Sequence, residues 1–138
     1  MNAAAQARDR AGIVRVVEEL RGMYPKARLV LAGHSYGGRQ SSMVAVENPS
    51  QANALMLLSY PLHPPRQPEK ARTEHFPGLR SPVLFVHGSR DPFGTIEELE
   101  AALKLISSPV VLKTVAKGAH NLPVAIANSI PEWLAEAL

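Results

Sequence analysis

The chain has 138 residues, 46% of them hydrophobic and 20% charged, a formal net charge of +3 and no cysteine. That size and mix point to one packed domain over residues 1–138 and exclude disulfide scaffolds, thiolate nucleophiles, Cys-type zinc sites and iron–sulfur clusters. Scattered basic residues, 5% aromatics and the lack of any apolar run near 18 residues make neither nucleic acid nor a membrane an expected partner.

Taken in order, residues from Asn2 to Met23 read as a helix. Ile13, Val16, Val17 and Leu20 recur at helical spacing among charged neighbours, and Pro25 stops the run. Arg28–Gly33 is a short aliphatic run ending in glycine, which reads as a buried strand. A helix follows from Tyr36 to Glu47, closed by Asn48–Pro49, and a second strand from Ala54 to Tyr60. From Pro61 to Pro82 prolines crowd among polar residues. This predicts a long loop with a helical turn near Glu69–Thr73. Val83–His87 is a third strand, ending at Gly88. Thr95 and Glu98 have the spacing of a capping box, which predicts a helix to about Ile106. Val110–Val115 is a fourth strand, and a final helix is predicted over Leu122–Leu138 with a bend at Pro131. Strands that alternate with helices imply an α/β fold: a parallel sheet of about four strands, layered between helices. Ligands in such sheets bind beyond the C-terminal strand ends.

The residues there carry chemistry. Gly33–Gly38 reads GHSYGG, a G-x-S-x-G between a strand and a helix. A sharp turn at that junction lifts the Ser35 hydroxyl into the open, and the helix N-terminus offers backbone N–H groups to a developing oxyanion. The same glycines have phosphate-loop spacing. Arg39 and Gln40 then stand where that loop needs lysine and a hydroxyl, so nucleotide binding is disfavoured. The chain has two aspartates, and only Asp91 follows a strand. His120 follows the last strand in a glycine-containing loop. The order Ser35, Asp91, His120 is that of a hydrolase triad, with His120 as base and Asp91 orienting it. Of the other histidines, His87 reads as a hydrogen-bonded core residue. His63 and His75 lack the i,i+4 spacing of a metal pair, so neither metal nor cofactor is expected.

The stretches GHSYGG (33–38), LLSYPLHPP (57–65), RTEHFPGLRSPVLFVHGSRDPFGT (72–95) and GAHNL (118–122) resemble the α/β-hydrolase superfamily. They are most similar to its dienelactone-hydrolase-like branch and to the testis-expressed and chromatin-complex hydrolase-like proteins. The resemblance spans nearly the whole chain. It implies a partial α/β-hydrolase fold, a Ser35–His120–Asp91 triad and the Tyr36 backbone N–H as oxyanion donor. Candidate substrate contacts are His34, Tyr60, His63 and Arg72, with Arg66 a further cation in the proline-rich loop. The expected substrate is a small ester or related acyl compound, and the expected location is cytoplasmic. An alternative is an interaction or scaffold module with an idle triad. The family's strands that precede the nucleophile strand, one of which leads into the second oxyanion donor, have no counterpart before Arg28. The chain therefore reads as N-terminally truncated. Its 28–33 strand would then lie at a sheet edge, where pairing with a second copy is expected.

Overall fold

The computed structural model describes residues 2–138. Helix α1 (Ala3–Met23) is followed by β1 (Val30–His34), α2 (Tyr36–Glu47), β2 (Ala54–Leu58), β3 (Val83–Gly88), α3 (Ile96–Leu103), β4 (Val110–Val115) and α4 (Ile130–Ala137). The four strands form one parallel sheet in the order β1-β2-β3-β4. Alternation along the strands splits the core in two. Leu55, Leu57, Val83 and Phe85 meet Ala45 of α2 and Leu99 of α3 on one face. Leu84 and Val86 meet Trp133, Leu134 and Ala137 of α4 on the other. The expected three layers are present.

Local signals set the helix starts. Asn2 caps α1 by accepting from the Ala5 amide, and Thr95 and Glu98 form the reciprocal capping box of α3. The last helix departs from expectation. Val124–Asn128 is a 3-10 turn, and α4 begins only at Ile130. Proline inside an α-helix clashes with the carbonyl four residues earlier, but its fixed φ suits the first turn. Pro131 therefore starts α4 rather than bending a longer helix. The proline-rich loop holds two 3-10 turns, Pro68–Lys70 and Phe76–Gly78. α3 closes at Leu103, short of Ile106.

β1 is an edge strand, paired with β2 alone among the described residues. The Ser35 amide bonds to the Leu58 carbonyl, and the Leu29 carbonyl accepts from the Asn53 amide. Odd-numbered positions thus serve β2. Successive residues of a strand point their polar groups to opposite sides, so those of Val30 and Ala32 face the open edge. α1 packs beside α2 and buries only Val17, leaving Val16 56% exposed. Between α1 and β1 runs an apolar groove of about 500 Å³, bordered by Ile13, Val16, Leu20, Val30 and Ala32. This is the edge at which the sequence predicts a second copy.

Candidate active site

Ser35 occupies the turn between β1 and α2 with φ 52° and ψ −123°. A non-glycine residue there is strained, and strain of this kind is held only where the surroundings fix it. The fixing contact is the crossing of Gly33 over the start of α2. A Cβ at Gly33 would stand 2.5 Å from the Gly37 carbonyl carbon and the Gly38 amide nitrogen. Only glycine permits that approach, which explains Gly33 before the serine and Gly38 after it, where a Cβ would stand 2.9 Å from the Gly33 carbonyl oxygen.

Three strand ends converge on this turn. His120, in the loop after β4, places Nε2 2.7 Å from the Ser35 hydroxyl oxygen. Its Nδ1 lies 2.9 Å and 3.1 Å from the two carboxylate oxygens of Asp91, in the loop after β3. Asp91 accepts only, so Nδ1–H donates to it and Nε2 is left to accept the Ser35 proton. Asp91 is 4% exposed and also accepts from the Phe93 amide at 2.8 Å. The Phe93 ring lies over the His120 ring, with centroids 4.3 Å apart. The backbone carbonyl of His120 accepts from the Ser59 hydroxyl at 2.6 Å and from His34 Nε2–H at 3.0 Å. The histidine is therefore held by its ring nitrogens, its ring face and its own carbonyl. Ser59, with φ 51° just beyond β2, is a support that no sequence motif marks.

The remaining candidates separate. Arg72 borders a hollow of about 410 Å³ together with Ser35, Tyr36, Arg39 and Phe93. His34 sits against His120 and steadies its carbonyl. Tyr60 is fully buried against Phe76 and Phe85, and its hydroxyl donates to the Arg72 carbonyl at 2.6 Å. This corrects its expected place at the substrate. It anchors the loop instead, because a ring of that size at the end of a central strand fills the core. His63 is also buried, with Nδ1–H on the Pro64 carbonyl and Nε2 3.1 Å from Glu98. It ties the loop to α3 and does not reach the hollow. Arg66 is exposed on the loop. His87 is wholly buried, donating from Nε2 to the Gly94 carbonyl at 2.8 Å, as a core histidine does.

In sequence Arg39 reads only as a residue standing where a phosphate loop needs lysine, and the fold brings it to the hollow beside Ser35. It lies at i+4 from Ser35 on α2, and its amide bonds to the Ser35 carbonyl at 3.0 Å. Long helix side chains run back toward the N-terminus, and Arg39 borders the same hollow as Ser35. Its charge reaches His75 as well. Burial first, and then the Arg39 guanidinium, push the His75 pKa down to about 4 from 6.5. The Ser42 hydroxyl donates to the Arg39 carbonyl, so His75 Nε2–H donates to Ser42 at 2.7 Å.

A folded pKa below the unfolded one means that the unfolded chain binds the proton first. Stability is therefore present above pH 6.5 and falls as the pH drops from there toward 4. Between pH 7 and pH 5 this group is expected to cost about 1 kcal/mol, allowing for solvent screening of a partly buried ring. Thermal unfolding of His75→Gln, which keeps a donor for Ser42, should show a flatter loss over that interval than the parent. Equal slopes would reject the assignment.

Residues 7–130 match the sequence profile of the family described as an alpha/beta hydrolase domain. Solved structures share the fold. An alpha-beta serine hydrolase homologue from Coxiella burnetii is 23% identical with a TM-score of 0.67, over 91% of this chain and 56% of that one. Est1E from Butyrivibrio proteoclasticus, with ferulic acid bound, is 20% identical with a TM-score of 0.73, over 93% and 67%. The Paleococcus ferrophilus monoacylglycerol lipase is 14% identical with a TM-score of 0.76, over 96% and 76%. This chain thus spans little more than half of the Coxiella protein's length and two thirds to three quarters of the other two.

Proposed function

Because the chain belongs to the alpha/beta hydrolase domain family, we propose that it is a serine hydrolase of small esters or related acyl compounds, with Ser35 as nucleophile, His120 as base and Asp91 as its orienter. The observation that carries this reading is His120 bridging Ser35 and Asp91 at hydrogen-bond distances. Ser35 Oγ attacks the substrate carbonyl carbon while its proton passes to His120 Nε2. The imidazolium is stabilised by Asp91. The carbonyl oxygen becomes an oxyanion at the N-terminal end of α2, where the Tyr36 N–H is the assigned donor. Collapse breaks the bond to the leaving alkoxide, which takes the proton from His120. Water, deprotonated by His120, then attacks the acyl-serine. The acid departs and Ser35 regains its proton.

A fluorophosphonate probe tests this directly. The expected result is one covalent adduct per chain, mapped by mass spectrometry to the peptide carrying Ser35 and absent from Ser35→Ala. A folded chain that stays unlabelled would overturn the enzyme reading and favour an idle triad on an interaction module.

A further inference from the structure

Beside the triad stand two guanidinium groups that no catalytic step uses. Arg39 and Arg72 border the same hollow as Ser35. Arg39 donates from Nη1 to the Gln6 side-chain oxygen at 3.1 Å, and its Nε is buried with no hydrogen-bond partner. Arg72 donates from Nη1 to the Pro61 carbonyl at 3.3 Å. The Arg72 backbone is pinned on both sides. Its amide bonds to the Leu62 carbonyl at 2.7 Å, and its carbonyl accepts from buried Tyr60. Among the described residues, neither guanidinium forms an ion pair with a carboxylate. Glu69 and Glu74 lie in a second hollow that the two arginines also border, without closing on either. Burial and the charge of Arg39 both hold the Arg72 pKa below its ordinary value. Two like charges kept together, partly desolvated and without a counterion, repel until an anion joins them.

We infer that Arg39 and Arg72 form the subsite for a carboxylate carried on the acyl part of the substrate. The inference rests on the hydrolase reading above and names its substrate class: monoesters of small dicarboxylic acids. Planar guanidinium forks match a carboxylate in two-point geometry, which a hydrated lysine ammonium does not. The spacing fits as well. Ser35, Arg39 and Arg72 border one hollow of about 410 Å³. A carboxylate held by Arg39 is then a few methylenes from a carbonyl at Ser35.

The test compares mono-4-nitrophenyl adipate with 4-nitrophenyl hexanoate, which share acyl length and leaving group and differ in the terminal carboxylate. The parent protein is expected to favour the adipate by about 10–100-fold in kcat/KM, the range of a charge-assisted hydrogen bond. Arg39→Gln and Arg72→Gln should each lower the adipate-to-hexanoate ratio about tenfold, chiefly through KM for the adipate. A binding measurement separates this inference from the hydrolase reading. Monomethyl adipate should raise the melting temperature of Ser35→Ala, and should fail to do so once Arg72→Gln is added. Labelling of Ser35 by the fluorophosphonate with no adipate preference and no thermal shift would overturn the anion subsite and leave the hydrolase. A thermal shift without labelling would keep the subsite and remove the hydrolase.

Discussion

His120→Ala is expected to lower the kcat of the proposed ester hydrolysis about 10⁵–10⁶-fold, and the Ser35→Ala/His120→Ala double variant no further. The reason is that nucleophile and base act as one unit in the proposed mechanism. His120 Nε2 lies 2.7 Å from the serine oxygen, and without that acceptor the hydroxyl keeps its proton at neutral pH. Once either partner is missing, the residual rate belongs to binding and oxyanion stabilisation, which both variants keep. Asp91→Asn should cost less, about 10⁴-fold, because the carboxylate sets the tautomer and stabilises the imidazolium without touching substrate. Steady-state kinetics on Ser35→Ala, His120→Ala, Asp91→Asn and the double supply the comparison. Losses that add across the double variant would mean that Ser35 and His120 serve separate steps.

Gly88→Ala is expected to destabilise the fold by about 3–5 kcal/mol, among the larger effects a single residue can have. Gly88 closes β3, and a Cβ there would overlap the Gly118 carbonyl from the loop after β4. The obstacle is backbone on both sides, so no side chain can turn aside. The same contact holds the site together. The Arg90 amide donates to the Gly118 carbonyl at 2.8 Å and the Ser89 amide to the Val115 carbonyl at 3.0 Å, just before Asp91 and His120. Forcing the loops apart should therefore lower the melting temperature and slow fluorophosphonate labelling together. Gly37→Ala is the control, since a Cβ there meets nothing within 4 Å and alanine suits a helix better. A Gly88→Ala protein as stable as the parent would show that the two loops can separate freely.

The residues whose roles are set within a few positions of themselves were legible from the sequence. The aliphatic runs of β1 to β4, the Thr95–Glu98 capping box, the glycines around Ser35 and the chain order Ser35, Asp91, His120 are all local or ordinal signals. They suffice because parallel pairing brings every strand's C-terminal end to one side of the sheet. Tertiary structure decided what depends on which neighbour fills a given space. In sequence Tyr60 reads as the last residue of a strand and His63 as a loop residue, both placed to meet a substrate. The packing of Phe76 and Phe85 encloses Tyr60, and Glu98 draws His63 toward α3. Arg39 reads as an ordinary helix residue until the loop carrying Arg72 is laid across α2 and a second charge stands opposite it. Ser59 becomes a support for His120 only because β2 lies between β1 and β3, so that its end comes under the loop that follows β4. Each of these contacts joins residues 16 to 61 positions apart. A local pattern carries no information on such distances, because they are fixed by the register of the sheet and the close crossing of the loops that leave it.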